Sequence, residues 1–316
     1  MASPKSIAFL FPGQGSQSVG MGKELAASFP AAKQTFDEAD AALGYALSAL
    51  CFAGPEEKLK MTEVTQPAIL TVSVAALRVL RQQGMEPGFV AGHSLGEYSA
   101  HVAAGTLEFT DAVRIVRNRG RYMQEAVPAG QGAMAAVLGL SLEEIEVACR
   151  EAAPAAAGEV VSPANINSPG QVVISGHAAA VERAAEGVKQ RGAKRAVMLP
   201  VSAPFHCALM QPAQDRLAVD LKAATFHPMS VPLVTNVDAE VIESSEKARD
   251  ALVRQVTGPV QWEKSMRALM AAGVETFVEV GPGKVLCGLM RQIDRAKTCF
   301  NVEDPASLEK TLAQRS

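Results

Sequence analysis

The sequence predicts an α/β protein, with a mostly parallel sheet covered by helices and a smaller unit inserted into it. Three observations lead there. Short continuous apolar runs alternate with helix-length segments through the first part of the chain, as strands buried on both faces and their crossover helices do. From about Gly132 to Pro200 that alternation gives way to closely spaced strands. The 316 residues, 48% of them hydrophobic, amount to about two domains at roughly 150 residues each and can fill a sizeable core. Aromatic residues are only 5%, so the core must be mostly Ala, Val, Leu, Ile and Met.

The elements follow in order. Ile7–Phe11 is an apolar run entering Pro12-Gly13-Gln14-Gly15, a strand and its Gly-rich turn. Pro67–Gln83 has helical length and spacing, with Gly84 as a C-cap. Phe89–Ala91 is a second strand, broken at Gly92, and a helix follows from about Leu95. Thr110 is placed to cap the next helix, which runs to about Ala126. Met134–Leu138 reads as a strand, and Ser141-Leu142-Glu143-Glu144 as a capping box opening a helix to about Ala152. Val160–Ile166 and Gln171–Ser175 are strands around the Ser168-Pro169-Gly170 turn; Ala178–Gln190 is a helix and Arg195–Leu199 a strand. That β-α-β-β-α-β order is the ferredoxin-like split unit. The expected domains are therefore a larger body of residues 1–127 and 201–316, and an insert of residues 128–200. The body resumes with a helix over Cys207–Ala223, a strand over Val231–Asn236 and helices near Lys247–Val256 and Val260–Ala272. A strand over Thr276–Val280 and a helix to about Ile293 complete it.

Several classes are excluded. Thirty basic against 33 acidic residues, a net charge of −3, give no overall field for nucleic acid or an anionic membrane, so neither is an expected partner. No apolar run is expected to span a membrane, because Ser and Thr interrupt the longest, Ala68–Leu77. Met1-Ala2-Ser3-Pro4-Lys5 has neither a secretory apolar region nor an Arg-rich transit pattern. The scattered Cys51, Cys149, Cys207, Cys287 and Cys299, without a C-x-x-C pair, read as reduced thiols of a cytoplasmic protein, with no disulfide frame and no metal site.

Chemistry concentrates at Gly92-His93-Ser94-Leu95-Gly96, a G-x-S-x-G pattern between a predicted strand and a predicted helix. A tight strand-to-helix turn strains the Ser backbone, and flanking glycines avoid Cβ clashes. The Ser94 hydroxyl then stands at a helix N-terminus, whose free N–H groups favour an oxyanion. The pattern alone arises by chance; its place between a strand and a helix favours function. A Ser nucleophile needs a base, and five histidines compete. His93 should project away from the turn, His101 lies about two turns along the helix, His177 belongs to the insert, and His227 precedes Pro228 in a loop. His206, in Ser202-Ala203-Pro204-Phe205-His206-Cys207 where a strand re-enters the body, is the best placed. No Asp or Glu stands out as the group that orients it; a carbonyl oxygen could do so.

Arg119 is the next informative residue. Arg114, Arg117, Arg121 and Glu125 share one face of its helix, whereas Arg119 sits on the opposite face among Ala112, Ile115, Val116, Tyr122 and Met123. A charge there costs several kcal/mol unless it is paired. It is either a structural ion pair or snorkelling Arg, or a bidentate clamp for a substrate carboxylate. Gly13-Gln14-Gly15 is neither a Walker loop nor a G-x-G-x-x-G turn; one of its N–H groups could donate to an oxyanion.

Taken together, Phe11-Pro-Gly-Gln-Gly-Ser-Gln17, Thr65-Gln-Pro-Ala68, Gly92-His-Ser-Leu-Gly-Glu-Tyr98, Arg119-Gly with Met123-Gln124, Asn165–Gly176, Val201–Met210, Pro259-Val-Gln-Trp262 and Glu279-Val-Gly-Pro-Gly283 resemble the malonyl-CoA:acyl carrier protein transacylase family. The likeness runs to about Ile293, and the ordered set is far more specific than G-x-S-x-G alone. The resemblance implies an α/β-hydrolase-like body with a ferredoxin-like small subdomain, and an active site between them. It implies Ser94 as nucleophile and His206 as base. Backbone N–H groups of Gln14 and Leu95 would form the oxyanion hole, Arg119 would hold the malonyl carboxylate, and the Gln261 carbonyl would orient the histidine. The implied partners are malonyl-CoA and acyl carrier protein. The implied cofactor is none, since the CoA thioester is a substrate and the phosphopantetheine arrives on the carrier. The reaction would be ping-pong, through a malonyl-Ser94 ester.

Phe205 and Leu95 resemble the malonyl-specific members, but a methyl group is worth only about 1–3 kcal/mol, so a methylmalonyl-specific polyketide enzyme stays open. So does a thioester hydrolase on the same Ser and His. A non-catalytic scaffold fits less well, because both Ser94 and His206 are present. The carrier is acidic, so a basic patch is expected to dock it: Lys189, Arg191, Lys194 and Arg195, or Lys284, Arg291, Arg295 and Lys297. No apolar stripe marks an interface, and a monomer is the default expectation.

Overall fold

The computed structural model describes residues 6–154, 158–201 and 203–314. The leader reading at Met1–Lys5, and Ser202 of the His206 stretch, lie outside them. The chain opens with β1 (Ile7–Phe11), then α1 (Lys23–Ser28), α2 (Pro30–Leu43), α3 (Leu47–Ala53), α4 (Glu56–Leu59) and α5 (Thr62–Gln82). β2 (Phe89–Gly92) leads into α6 (Gly96–Ala103) and α7 (Phe109–Glu125). Next come β3 (Gly132–Leu138), α8 (Leu142–Ala152), β4 (Val161–Ser168), β5 (Gln171–His177), α9 (Ala178–Gln190) and β6 (Arg195–Met198). After these lie α10 (Gln211–Ala223), β7 (Leu233–Val234), β8 (Val241–Ile242), α11 (Ser245–Arg254) and α12 (Trp262–Ala271). The last elements are β9 (Thr276–Val280), α13 (Val285–Ile293), β10 (Thr298–Val302) and α14 (Pro305–Ala313).

The result is a mixed α/β architecture with a parallel-rich sheet. Six strands run in the order β10-β9-β1-β2-β7-β8, parallel except at the β7–β8 edge. β1 shows why its sequence is continuously apolar. Ile7, Phe9 and Phe11 enter one core cluster, while Ala8 and Leu10 enter another on the opposite face. Helices cover both faces, as parallel strands require. A second sheet, β4-β5-β3-β6, is wholly antiparallel. One of its faces packs Ala135, Val137, Val172 and Ile174 with residues of α8 and α9. The other face turns Met134 and Val173 into the core of the larger sheet. β4 is tied to the loop before α12 where Ile166 N–H donates to the Val260 carbonyl at 2.9 Å and Val260 N–H to that of Ala164 at 2.8 Å.

Several boundaries differ from expectation. α5 begins at Thr62, ahead of Pro67, because burial continues along Thr65 and Gln66. It is long and apolar enough to cross a membrane by length and composition, contrary to the sequence reading, but most of its length is buried inside the protein. Glu108, not Thr110, precedes α7, whose start is set by buried Phe109 and Ala112. The strand expected over Val231–Asn236 shrinks to Leu233–Val234, because Thr235 N–H turns back to the Glu240 carbonyl. The helix expected from Cys207 opens as a single 3₁₀ turn, Ala208–Met210, before α10. The cysteine reading is also corrected. Cys287 of α13 and Cys299 of β10 form a disulfide, with Cα atoms 5.3 Å apart. Only the packing of α13 over its neighbouring strand brings them together, so their spacing gave no sign. Cys51, Cys149 and Cys207 are free and buried.

Ser141 does cap α8, its hydroxyl accepting from Glu144 N–H at 3.3 Å. Ser141→Ala should therefore cost about 1 kcal/mol, and Thr110→Ala less than about 0.5 kcal/mol, in urea unfolding. Equal losses would contradict the cap assignment.

Candidate active site

The turn after β2 puts Ser94 at φ 51°, a left-handed conformation that a side chain adopts only under constraint. A Cβ on Gly92 would collide with the Gly96 carbonyl, and one on Gly96 with that of Phe11, so both glycines are required by close approach. Asn236 clamps the turn from both sides. Its Oδ1 accepts from Ser94 N–H at 2.6 Å, and its Nδ2 donates to the Gly92 carbonyl at 2.6 Å. The N–H of Leu95 has no protein acceptor among the described residues. Leu95 and Gln14 both line the cavity beside Ser94, where the expectation placed an oxyanion.

His206 is also held at positive φ, 60°. Its Nε2 lies 2.7 Å from Ser94 Oγ. Its Nδ1 lies 2.9 Å from the backbone carbonyl of Gln255. A carbonyl only accepts, so Nδ1 carries the proton and Nε2 is free to take one from the serine. The expected carbonyl of Gln261 is not the one used. That oxygen instead receives Ser265 N–H and Oγ, while Gln261 N–H donates to the Asn236 carbonyl. Gln261 ties down the loop before α12; Gln255, buried at the end of α11, reaches the imidazole. Burial, and after it the Arg119 charge, push His206 down to about 3.

Arg119 is 1% exposed. Its Nη1 donates to Gln66 Oε1 at 2.9 Å, and its Nη2 to Gln255 Oε1 at 2.9 Å and to Ser94 Oγ at 3.1 Å. All three acceptors are neutral, Nε has no partner, and no ion pair joins Arg119 to a carboxylate among the described residues. Of the two readings that sequence left open, the structural ion pair is absent.

Two of the other histidines lie close by. His93 does not turn away from the site as expected. It lines the cavity, with Nε2 2.8 Å from Asn167 Oδ1 on β4 and its ring against Trp262. His101 is buried against Thr106, 2.8 Å from its hydroxyl. Asn236, Gln255 and Gln66 lay outside the expected set; only Gln66 had a sequence signal, in Thr65-Gln-Pro. Ser94, His206, Arg119, Gln14 and Leu95 all border one cavity of about 760 Å³. Asn165, Asn167 and Gln171 of the smaller sheet and Val285, Leu286 and Leu289 of α13 line it too.

A parallel α/β sheet that presents a Ser–His pair at a strand-to-helix turn, beside a buried cation, has the make-up of an acyl-transferring serine enzyme. Residues 8–304 match the acyl transferase domain family. The malonyl CoA-acyl carrier protein transacylase of Escherichia coli is 56% identical over 307 residues, covering 97% of this chain and 98% of that protein. The transacylase of the same name from Bacillus subtilis is 50% identical, covering 96% and 95%. The crystal structure of an acyl carrier protein S-malonyltransferase from Vibrio cholerae superposes with a TM-score of 0.94 at 51% identity, covering 97% of this chain and 99% of the other. A malonyl-transacylase solved in complex with a type II PKS acyl-carrier protein gives 0.95 at 50% identity, covering 98% and 99%. The chain belongs to the malonyl CoA-acyl carrier protein transacylase family.

The His206 ring should stay neutral in solution. An NMR titration of its ring carbons should show no protonation between about pH 5 and pH 8, whereas an ordinary histidine titrates near 6.5. A midpoint near that ordinary value would reject the bond network drawn here.

Proposed function

We propose that this chain transfers the malonyl group of malonyl-CoA to the phosphopantetheine thiol of acyl carrier protein, supplying the extender unit of fatty acid synthesis. One observation supports this above the others. A fully buried guanidinium with no carboxylate partner among the described residues lies 3.1 Å from the Ser94 hydroxyl. Burying an unpaired cation costs several kcal/mol. An acyl group ending in its own carboxylate offsets that cost when it binds, and in malonate the carboxylate stands two bonds from the reacting carbon.

The geometry supports the following steps. His206 Nε2 takes the Ser94 proton as Oγ attacks the thioester carbonyl. The oxyanion is received by the Gln14 and Leu95 N–H groups. The C–S bond breaks, and CoA leaves with the proton held by His206. The malonyl-Ser94 ester is then attacked by the carrier thiol, whose proton passes to His206 and on to Ser94 as the ester bond breaks. No resident cofactor or metal takes part in this scheme, and one copy of the chain supplies every group in it. Acetyl-CoA leaves Arg119 unsatisfied and should react poorly.

We read the larger sheet as an α/β-hydrolase-like body over residues 1–127 and 201–316, and residues 128–200 as a ferredoxin-like insert. The strand order β4-β5-β3-β6 supports the second reading. The cavity between them suits a pantetheine arm, with amide side chains along one wall. Of the two basic clusters, Lys284, Arg291, Arg295 and Lys297 lie on and beside α13, which also lines the cavity; Lys189 lies on α9, behind the smaller sheet. That favours the α13 cluster as the carrier's dock, in a cytoplasmic reaction.

Intact mass after mixing with malonyl-CoA tests the function. The wild type should gain one malonyl group and lose it to acyl carrier protein, and Ser94→Ala should gain none. Arg119→Ala should lose malonyl acylation by roughly a hundredfold or more. An adduct lost to water at a rate the carrier does not change would make the protein a thioester hydrolase instead. Arg291→Glu should raise KM for the carrier and leave KM for malonyl-CoA unchanged; equal effects would remove α13 as the docking helix.

A further inference from the structure

We infer that Glu97 is the positioning residue that keeps Arg119 ready for a carboxylate, acting through the side-chain amide of Gln255. This rests on the malonyl-transfer reading. Glu97 lies on α6, three residues past Ser94, and is fully buried. Its Oε2 accepts from Gln255 Nε2 at 2.7 Å and from Asn236 N–H at 3.1 Å. Its Oε1 has no partner among the described residues. At the other end of the same amide, Gln255 Oε1 accepts from Arg119 at 2.9 Å.

A guanidinium can only donate, and an ionised carboxylate can only accept. An amide between them therefore has one orientation, with its oxygen to Arg119 and its NH₂ to Glu97. Its dipole lies along the field of both charges. The buried cation is offset by a buried anion that it never touches. A direct ion pair would set an anion against the guanidinium that a substrate carboxylate needs; in the relayed arrangement its Nη groups meet only neutral acceptors and its Nε none among the described residues. Glu97 reaches the turn as well, because the backbone N–H it holds belongs to Asn236, whose side chain clamps Ser94.

Glutamine at this position could both donate and accept. It would still accept from Gln255 Nε2, which the Ser94 carbonyl also fixes at 3.0 Å, so the amide keeps its orientation; what is lost is the anion that offsets the buried Arg119 charge, although every volume is kept. The test compares acylation rates with malonyl-CoA and with acetyl-CoA, by intact mass at about pH 8, above the value of about 7 to which burial raises Glu97. E97Q should slow malonyl acylation roughly ten- to a hundredfold and acetyl acylation less than about threefold. In a Gln255→Met background, E97Q should change the malonyl-to-acetyl preference less than about twofold, because the relay is already gone. Equal losses with both donors, an unchanged malonyl rate, or a full E97Q effect without Gln255 would overturn the inference. Should E97Q fail to melt cooperatively, E97D decides, since its shorter group still only accepts. It should keep the preference within about threefold whatever its rate, and a collapsed preference there would overturn the inference. A wild type that takes up no malonyl group would instead reject the functional reading itself.

Discussion

A guanidinium buried with no carboxylate in contact, among the described residues, is the constraint on which the rest of the site depends. Arg119 is held by three neutral oxygens, from Gln66, Gln255 and Ser94, that come from three separate parts of the chain. Each oxygen reduces the cost of burial without cancelling the charge. That demand explains why amides, not acids, surround the nucleophile, and why the supporting residues reach in from α5, α6, the end of α11 and the loop after β7.

The backbone shows the same demand in a second form. Among the described non-glycine residues only Ser94, His206 and Ala239 have positive φ, and the first two are the reacting pair. Such conformations cost about 1–3 kcal/mol each and persist only where the surroundings over-determine them. Here Asn236 bonds both sides of the Ser94 turn, and the Gln255 carbonyl fixes the His206 ring. Ser94 and Asn236 follow β2 and β7 at the carboxyl ends of parallel strands, where an open α/β sheet places its ligands, while His206 and Gln255 are brought to them from outside that sheet.

Much of this was legible in the sequence, and the limits have physical causes. The Ser94 turn could be read because glycine, serine and glycine are adjacent in sequence and their spacing is itself the geometry. Arg119 could be read as anomalous from helical periodicity, but its partners could not, since Gln66 lies 53 residues away and Gln255 136. His206 was reachable from its place in the loop after a strand, although that strand, β6, ends at Met198, well before it. The orienting carbonyl was assigned to Gln261 instead of Gln255 because a backbone oxygen leaves no mark on residue type. The same holds for the Cys287–Cys299 pair, which depends on how α13 lies over β10. The strand around Leu233 was overestimated because its apolar run continues past the point where Thr235 turns the chain.

The choice of a carbonyl over a carboxylate to orient His206 then has a reason beyond geometry. In a Ser-His-Asp arrangement the acid would lie next to the imidazole. Here the Gln255 carbonyl that accepts from His206 belongs to the residue whose side chain accepts from Arg119 at 2.9 Å, so an acid in that carbonyl's place would stand close to the guanidinium. At that range, in a poorly screened interior, it would pair with Arg119 and compete with the substrate's own carboxylate. A backbone carbonyl fixes the tautomer equally well and carries no net charge. Gln255 therefore meets two requirements at once. Its main chain orients the base without adding an anion, and its side chain hands Arg119 on to Glu97 at a distance that keeps the carboxylate off the guanidinium.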